Sequence, residues 1–565
     1  MKLYMIDPLG PFFLDYKKKI INWSKIPFEN LEIDGSFDTH KALRILDELE
    51  TFLTKVKSLG FNAISLDELS HFVTMPFYEE DLQNKLKDYQ RFYERIIFLA
   101  KRYEFKVFVR TDVIPENKAI KKFVGKSFLR KGIFMQDLIR NLFISYPLAD
   151  GVILRIGESD GQDITGDFRS GLTIKKPEEL RALIVGLLPI FETLKKILIV
   201  RTWTVGAYDI GDLIWNRETY DRVFKDLTSK HLIVSHKYGE TDFYRHLELN
   251  PLIFHGKQQK IVELQAKREY EGFGEYPSYI GYDYFEYYNQ IKDHSNIIGI
   301  DVWCQGGGWS PYRRRAFLDK DAIWNELNTV ATINIFKNNA QPQDAVSSFA
   351  KEKNIDTIAL NRLLYLSHEV VTNVLYMPEV AKIKQYFRRV RLPPLLDIFW
   401  ESVSVNSFLG AYLKLHSKNV LDLNKSKEFA LTVFAEMQTI SRKINLLPQD
   451  IDFQKETFLL ICQARDYLST GDKTIYNSLK KNIKEYEQKY PDGYKFSIAK
   501  NLNKSNTLSK ILAHLLRDKS KYRTFDTLMN SHFTSLVIRL LLKLFSKFLP
   551  SFTKERAMGV ETLFK

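Results

Sequence analysis

The amino-acid sequence predicts a (β/α)8 barrel followed by an all-helical region. Three observations predict it. Short, continuous apolar runs alternate with helix-period segments over residues 1–330, the pattern of parallel strands buried on both faces. Eight such units fit the roughly 250–300 residues that a barrel of this kind occupies. Beyond residue 330 the strand pattern stops and helical periods recur. A doubly wound sheet is the rival that periodicity alone leaves open.

The elements follow in order. Apolar runs at 61–66, 105–110, 151–156, 197–205, 231–236, 261–264 and 297–303 supply seven strands. An earlier run, at 3–6 or at 31–33, makes the eighth. Helix-period segments at 41–59, 89–103 and 177–194 lie between them. In residues 331–565 helical patterns recur at 345–353, 357–375, 397–415, 426–444, 454–469, 472–489 and 507–516. Pro393-Pro394, Pro448 and Pro491-Asp492-Gly493 separate several of them. The expected organisation is a barrel over 1–330 and a helical domain over 331–565.

Composition narrows the class. The chain has 565 residues, 45% hydrophobic and 27% charged, which excludes a collagen, a long disordered chain and a disulfide scaffold. Its two cysteines, Cys304 and Cys462, form neither a framework nor a CxxC site. The net charge of +14 is uneven. Residues 1–330 hold 47 basic and 47 acidic side chains, and residues 331–565 hold 36 and 22. The first 23 residues, broken by Asp7, Pro8, Asp15 and three lysines, lack a secretory apolar core. No apolar run reaches the roughly 18 residues of a spanning helix. A cytoplasmic chain, with a candidate membrane-surface contact, is the expectation.

In a barrel, chemistry gathers where strands end at their C-terminal side. After the fourth run comes Arg155-Ile156-Gly157-Glu158-Ser159-Asp160-Gly161, where Glu158 is a candidate general acid. After the fifth, Arg201 and Trp203 place a cation and an aromatic, suited to carboxylate recognition and sugar stacking. After the sixth, Lys237 is a candidate anion ligand and Asp242 a candidate base; His236 reads as a core histidine. The seventh run carries Glu263, Gln265, Lys267 and Glu269 at alternate positions, a polar row that needs partners or a polar ligand. After the eighth, Trp303 and Trp309 flank Gly306-Gly307-Gly308 as a candidate sugar floor. There is no phosphate-loop pattern, nucleophile elbow, HExxH or zinc spacing, so neither metal nor cofactor is expected.

These residues, in this order, resemble the catalytic barrel of the α-glucuronidases of glycoside hydrolase family 67. Arg155 to Gly161, Val200-Arg201-Thr202-Trp203, Lys237 to Asp242 and Glu263 to Gly272 stand where that family has its acid loop, its Trp-Arg-aromatic strand, its Lys-Asn-Gly-x-x-Asp segment and its Glu-x-Gln-x-x-x-Glu-Tyr-x-Gly segment. The resemblance is clear over about residues 150–310. It implies Glu158 as general acid, and Asp242 and Glu269 as the groups that position and deprotonate water. It implies Arg155, Arg201 and Lys237 as a clamp on a uronate carboxylate, with Gln265 and Tyr270 matching the family's segment. It also implies inversion, for which acid and base stand roughly 6.5–9.5 Å apart. Two departures stand out: the acid loop is one residue shorter, and Arg155 replaces a lysine.

The expected partner is therefore an acidic oligo- or polysaccharide. An alternative is a glycosyltransferase or related enzyme of surface-polysaccharide assembly, and a third is a binding module without turnover. Residues 535–549, with Arg539, Lys543 and Lys547 spaced by four, read as an interfacial helix or as a core or dimer helix. A homo-oligomer fits the second use. The runs Phe387-Arg388-Arg389-Val390-Arg391 and Arg313 to Arg315 read as solvated faces. No zinc finger, RRM or basic zipper occurs, so nucleic acid is not an expected partner.

Overall fold

A computed structural model of the chain describes residues 1–156, 166–204, 206, 208–387, 389–416 and 423–502, with 507 and 510. Glu158 and residues 535–549 lie outside the described residues, as does most of the expected helix at 507–516.

Eight parallel strands close into a barrel: β1 (Leu3–Ile6), β2 (Ala63–Leu66), β3 (Lys106–Asp112), β4 (Gly151–Arg155), β5 (Ile197–Arg201), β6 (Leu232–Lys237), β7 (Gln259–Gln265) and β8 (Ile297–Trp303). Neighbours in sequence are neighbours in space, and β1 closes the ring on β8 with Leu3 opposite Gly299 and Met5 opposite Asp301. The barrel thus settles two open points of the sequence. The doubly wound sheet is excluded, and the first strand is Leu3–Ile6. The run at 31–33 instead forms a short hairpin with Ser36–Phe37.

The outer helices are α1 (Thr39–Leu59), α2 (Glu80–Arg102), α3 (Phe128–Ser145), α4 (Pro177–Leu194), α5 (Arg217–Phe224), α6 (Gly281–Ile291) and α7 (Ile323–Asn338). Their ends carry the expected local chemistry. Asp38 accepts from the Lys41 amide ahead of α1 at 3.0 Å, and Gly60 closes that helix at φ +103°. Ser127 and Asn216 cap α3 and α5 in the same way.

Inside the barrel, every second residue of a strand points to the axis. One layer is an apolar plug of Met5, Ala63, Phe108, Ile153, Ile199, Ile233 and Ile261, all buried. Two residues further along the strands stand Asp7, Ser65, Arg110, Arg155, Arg201, Ser235, Glu263 and Asp301, also buried. The interior therefore changes from hydrocarbon to charge toward the C-terminal mouth.

Past the barrel the chain is largely helical: α8 (Thr357–Val370), α9 (Ser407–His416), α10 (Leu423–Lys443), α11 (Pro448–Thr470) and α12 (Lys473–Lys489). The expected helix at 397–415 begins ten residues later. Its first part forms β9 (Ile398–Phe399) and β10 (Ser402–Val405), which pair with each other, and β10 also pairs with β11 (Lys495–Ile498). Val403 and Val405 alternate as the buried positions of β10, a period of two where a helix was read. Among the described residues, no helix is long and apolar enough to cross a membrane.

Buried ion pairs fasten this region to the barrel. Glu271, fully buried, accepts from Arg245 (3.0 Å), Arg268 (3.1 Å) and the Tyr376 hydroxyl (2.9 Å). Arg314 reaches Asp450 at 2.6 Å, and Trp324 donates to the same carboxylate. The expectation that Arg313 to Arg315 and Arg389 to Arg391 are solvated faces holds for Arg313, which is exposed, and is overturned for Arg314, Arg315, Arg389 and Arg391. Arg315 pairs with Glu48 and Asp319, Arg389 with Asp209 and Asp212, and Arg391 is buried against Glu240. Arg313 donates to the carbonyls of Tyr16 and Lys18. Arg314, Arg315, Arg389 and Arg391 thus answer acids instead of facing water. Removing the shared carboxylate leaves buried Arg268 without its acid, while Arg245 keeps Asp283 at 2.7 Å, so Glu271→Gln is expected to lower stability by about 3–5 kcal/mol. Chemical denaturation checks this; a loss below about 1 kcal/mol would refute the anchoring role.

Candidate functional site

At the C-terminal mouth the strands open into a cleft. It is lined by Arg155, Arg201, Trp203, Lys237, Asp242, Glu269, Tyr270, Trp303 and Trp309, all named by sequence reasoning. The lining also includes Lys25, Asp112 and Ser170, and Phe399 and Trp400 from beyond the barrel.

Each predicted cation is held by an acid. Arg201, at the end of β5, makes a two-pronged pair with Glu263 of β7 at 2.9 and 2.7 Å. Ser235 donates to the same carboxylate at 2.6 Å. Burial opposes the Glu263 charge, but Arg201 outweighs it and holds the group down at about 2. Glu263 thus lies beneath the cleft as the partner of Arg201, and not on its surface. Arg155 stands among three acids: Glu68 at 2.7 Å, Asp112 at 3.0 Å and Asp67 at 3.4 Å. Lys25 bridges Asp112 and Ser170 at 2.7 and 2.8 Å. Burial and the Asp112 charge push Glu68 up, whereas Arg155 and Lys25 overcome burial to push Asp112 down.

Lys237 pairs with Asp242, and its ammonium sits 3.5 Å over the Trp203 ring and 4.5 Å from the centre of Phe243. The other Asp242 oxygen accepts from the Tyr270 hydroxyl at 2.9 Å. Asp242 is therefore clamped from both sides. Gln265 supports Glu269, accepting from its amide at 3.0 Å while donating to the Gly306 carbonyl. Gly307 and Gly308 have φ +105° and +70°, and a Cβ on either would lie 3.0 or 2.6 Å from Glu269 Oε2. The glycines leave room for that carboxylate. Lys267, next in the polar row, turns away and places its amine 3.3 Å over buried Trp23.

The guanidinium groups of Arg110 and Arg201 stand 4.5 and 4.7 Å from the centre of the Trp303 ring. Trp309 meets Trp400 at 5.3 Å, and Phe399 meets Tyr270 at 5.8 Å. His236 is a buried core residue stacked against Tyr220, lowered to about 3 by burial. Among the described residues no three His, Cys, Asp or Glu side chains converge as a metal set.

Sequence reasoning missed four of these groups for distinct reasons. Asp112 ends β3, but the apolar run was read as stopping at Arg110. Glu68 lies two residues past β2, a position that the strand-end rule reaches. Lys25 comes from the long β1–α1 connection and carries no local pattern. Trp400 arrives from a segment read as helix.

Comparisons with known proteins place the fold. No protein-family model matches the chain, and no curated protein matches it. Among solved structures, a GH138 enzyme targeting pectin rhamnogalacturonan II superposes with a TM-score of 0.52 at 12% identity, over 91% of this chain and 66% of that one. A GH89 enzyme of Clostridium perfringens, in complex with GlcNAc-α-1,4-galactose, gives a TM-score of 0.46 at 8% identity, over 86% of this chain and 52% of that one. The chain spans less than two thirds of the length of either. Its fold is a (β/α)8 barrel with a helical region after it, and the superposition on the GH138 enzyme takes in 91% of the chain.

The buried carboxylates pull stability in opposite directions with pH. Glu263 and Glu271 are held down at about 2 by their arginines. They contribute stability above their unfolded value near 4.5, lost as pH falls toward 2. Burial raises Asp7 and Glu275 to about 7 and Asp301 to about 6. Such groups bind a proton more tightly when folded, so stability falls as pH rises from about 4 to 7. The melting temperature is therefore expected to peak at about pH 4, where the two windows meet. Asp7→Asn is expected to flatten the decline from pH 5 to 8, measured by scanning calorimetry. An unchanged slope would contradict it.

Proposed function

We propose that the chain is a glycoside hydrolase that cleaves a glycan containing a uronic or other acidic sugar, with inversion. One observation carries the reading. Two carboxylates, Asp242 and Glu269, share a single barrel-mouth cleft with seven aromatic side chains: Trp203, Phe243, Tyr270, Trp303, Trp309, Phe399 and Trp400. Sugars present C–H faces to aromatic rings and hydroxyls to polar groups, so such a lining suits a pyranose. The resemblance to family 67, and the barrel shared with a GH138 enzyme, support the class.

The roles follow from the chemistry of each group. Glu158, in the β4–α4 connection, is assigned to protonate the leaving oxygen. Glu269 is assigned as the base that takes a proton from water. Asp242, clamped by Lys237 and Tyr270, is assigned to orient that water. The acidic sugar rests on the resemblance to family 67, in which Arg155, Arg201 and Lys237, all on the cleft wall, match a clamp on a uronate carboxylate. Glu68 and Glu263, behind the wall, hold the arginines in place without facing the sugar.

The test is turnover by the full chain on a panel of 4-nitrophenyl uronides and hexosides, with the first-formed anomer read by NMR. Glu158→Gln, Asp242→Asn and Glu269→Gln are each expected to lower kcat by about 10²-fold or more. Trp400→Ala is expected to raise KM more than it lowers kcat. Unchanged rates in all three carboxylate variants would overturn the assignment, and faster turnover of hexosides than uronides would overturn the acidic sugar.

A further inference from the structure

Residues 116–133 run from the β3–α3 connection into the start of α3. They carry six basic side chains, Lys118, Lys121, Lys122, Lys126, Arg130 and Lys131, against one acid, Glu116. Residues 1–330 as a whole are neutral, so this excess is local. Lys121 pairs with Glu116 at 2.9 Å. Among the described residues, none of the other five cations has an ion-pair partner. The acids Glu79, Glu80 and Asp81 begin α2, where they face the positive end of its dipole, and none of them pairs with the cluster.

The local structure turns these cations outward. A short helix, Lys118–Val124, is capped by Asn117, which accepts from the Ile120 amide at 2.8 Å, and is closed at Gly125. Ile120 and Val124, four residues apart, are buried and hold it down, which leaves Lys118, Lys121, Lys122 and Phe123 exposed. Helix α3 then buries Phe134, Leu138 and Leu142, while Leu129 and Ile133 stay 73% and 41% exposed. Phe123 stacks on Phe77 at 4.4 Å, and Phe77 reaches Phe134 at 6.1 Å, so the two helices present one surface. Strand β3 ends in Asp112 on the cleft wall, and the connection after it lies at the barrel mouth.

Cations and apolar side chains share this surface, and that narrows the partner. A soluble polyanion answers the cations but leaves Leu129 and Ile133 in water. An apolar protein face covers the leucine and isoleucine but buries charges without partners. The end of this chain is no complement either, since residues 503–565 hold 12 basic and 4 acidic side chains. An anionic bilayer answers both, with phosphates for the cations and an apolar boundary beneath them. We propose that residues 118–133 dock the protein on an anionic lipid bilayer. Phe123, Leu129 and Ile133 enter the boundary between headgroups and acyl chains, and the cations lie among the phosphates. Docking there holds the barrel mouth beside the lipid surface, and it is independent of which glycoside the cleft takes.

The test is co-sedimentation of the full chain with vesicles of phosphatidylcholine alone and with about a quarter phosphatidylglycerol. Binding to the mixed vesicles is expected to be at least about tenfold tighter. It is expected to weaken at least about tenfold in Lys122→Glu with Lys126→Glu, and again in Leu129→Ser with Ile133→Ser. All four positions are exposed, and an unchanged circular dichroism spectrum demonstrates folding. A polarity-sensitive thiol dye then places the contact. Cys304 and Cys462 are buried, so the dye labels Leu129→Cys selectively. Ile144→Cys, at a position 77% exposed near the other end of α3, is the control. On mixed vesicles the emission at 129 is expected to shift to the blue, and that at 144 to stay unchanged. Vesicle binding without a shift at 129 assigns the contact to another part of the chain and overturns the surface. No binding overturns it too, as does weakening by the charge reversals alone, which marks a site for soluble polyanions.

Discussion

The change from hydrocarbon to charge inside the barrel governs the rest of the molecule. Six ionisable side chains project inward just above the apolar plug: Asp7, Arg110, Arg155, Arg201, Glu263 and Asp301. Isolated, any of them would be costly in so dry a place. As a set they carry three charges of each sign. Arg201 answers Glu263 directly, and Arg110 reaches Asp301 across the axis at 3.4 Å. Arg155 looks upward to the acids after β2 and β3. The layer is a floor whose side chains have little freedom, and it fixes the directions in which the groups above it can point.

The cleft inherits its geometry from that floor. Arg201 pairs with Glu263 and stands, with Arg110, against the Trp303 ring. Lys237 is drawn to Asp242 and covered by Trp203. The acids of the site are accordingly of two kinds. Some, such as Glu263, are held charged by cations and serve as structure. Others, such as Asp242 and Glu269, reach the cleft surface, where a sugar can meet them. Gly307 and Gly308 matter because a side chain at either position would press on the Glu269 carboxylate.

The barrel was legible because parallel strands buried on both faces leave unmistakable apolar runs, and the strand-end rule then located most of the cleft. Asp242, Glu269, Tyr270, Arg155, Arg201 and Lys237 all follow from a run and what comes after it. What could not be read is pairing. Nothing local distinguishes Glu263, bound under the floor, from Glu269, six residues later and at the surface. Arg314, Arg389 and Arg391 look like solvated charge in one dimension and are bridges in three, since their acids lie some 130–180 residues away. The small sheet of β9, β10 and β11 was hidden for a similar reason. Its strands are two to four residues long, and β11 comes about 90 residues after its partner.

The position of Trp400 has a consequence for what counts as one unit. Every acid assigned to the chemistry belongs to the first 300 residues, so a construction kit that stopped at β8 would hold all the reactive parts. It would still be an open bowl. The rim on one side is borrowed from a strand pair that itself leans on residues near 495. Variation in those distant helices can therefore reshape the aperture without touching an acid, so the outline of the cleft and its reactive groups are set by separate parts of the chain.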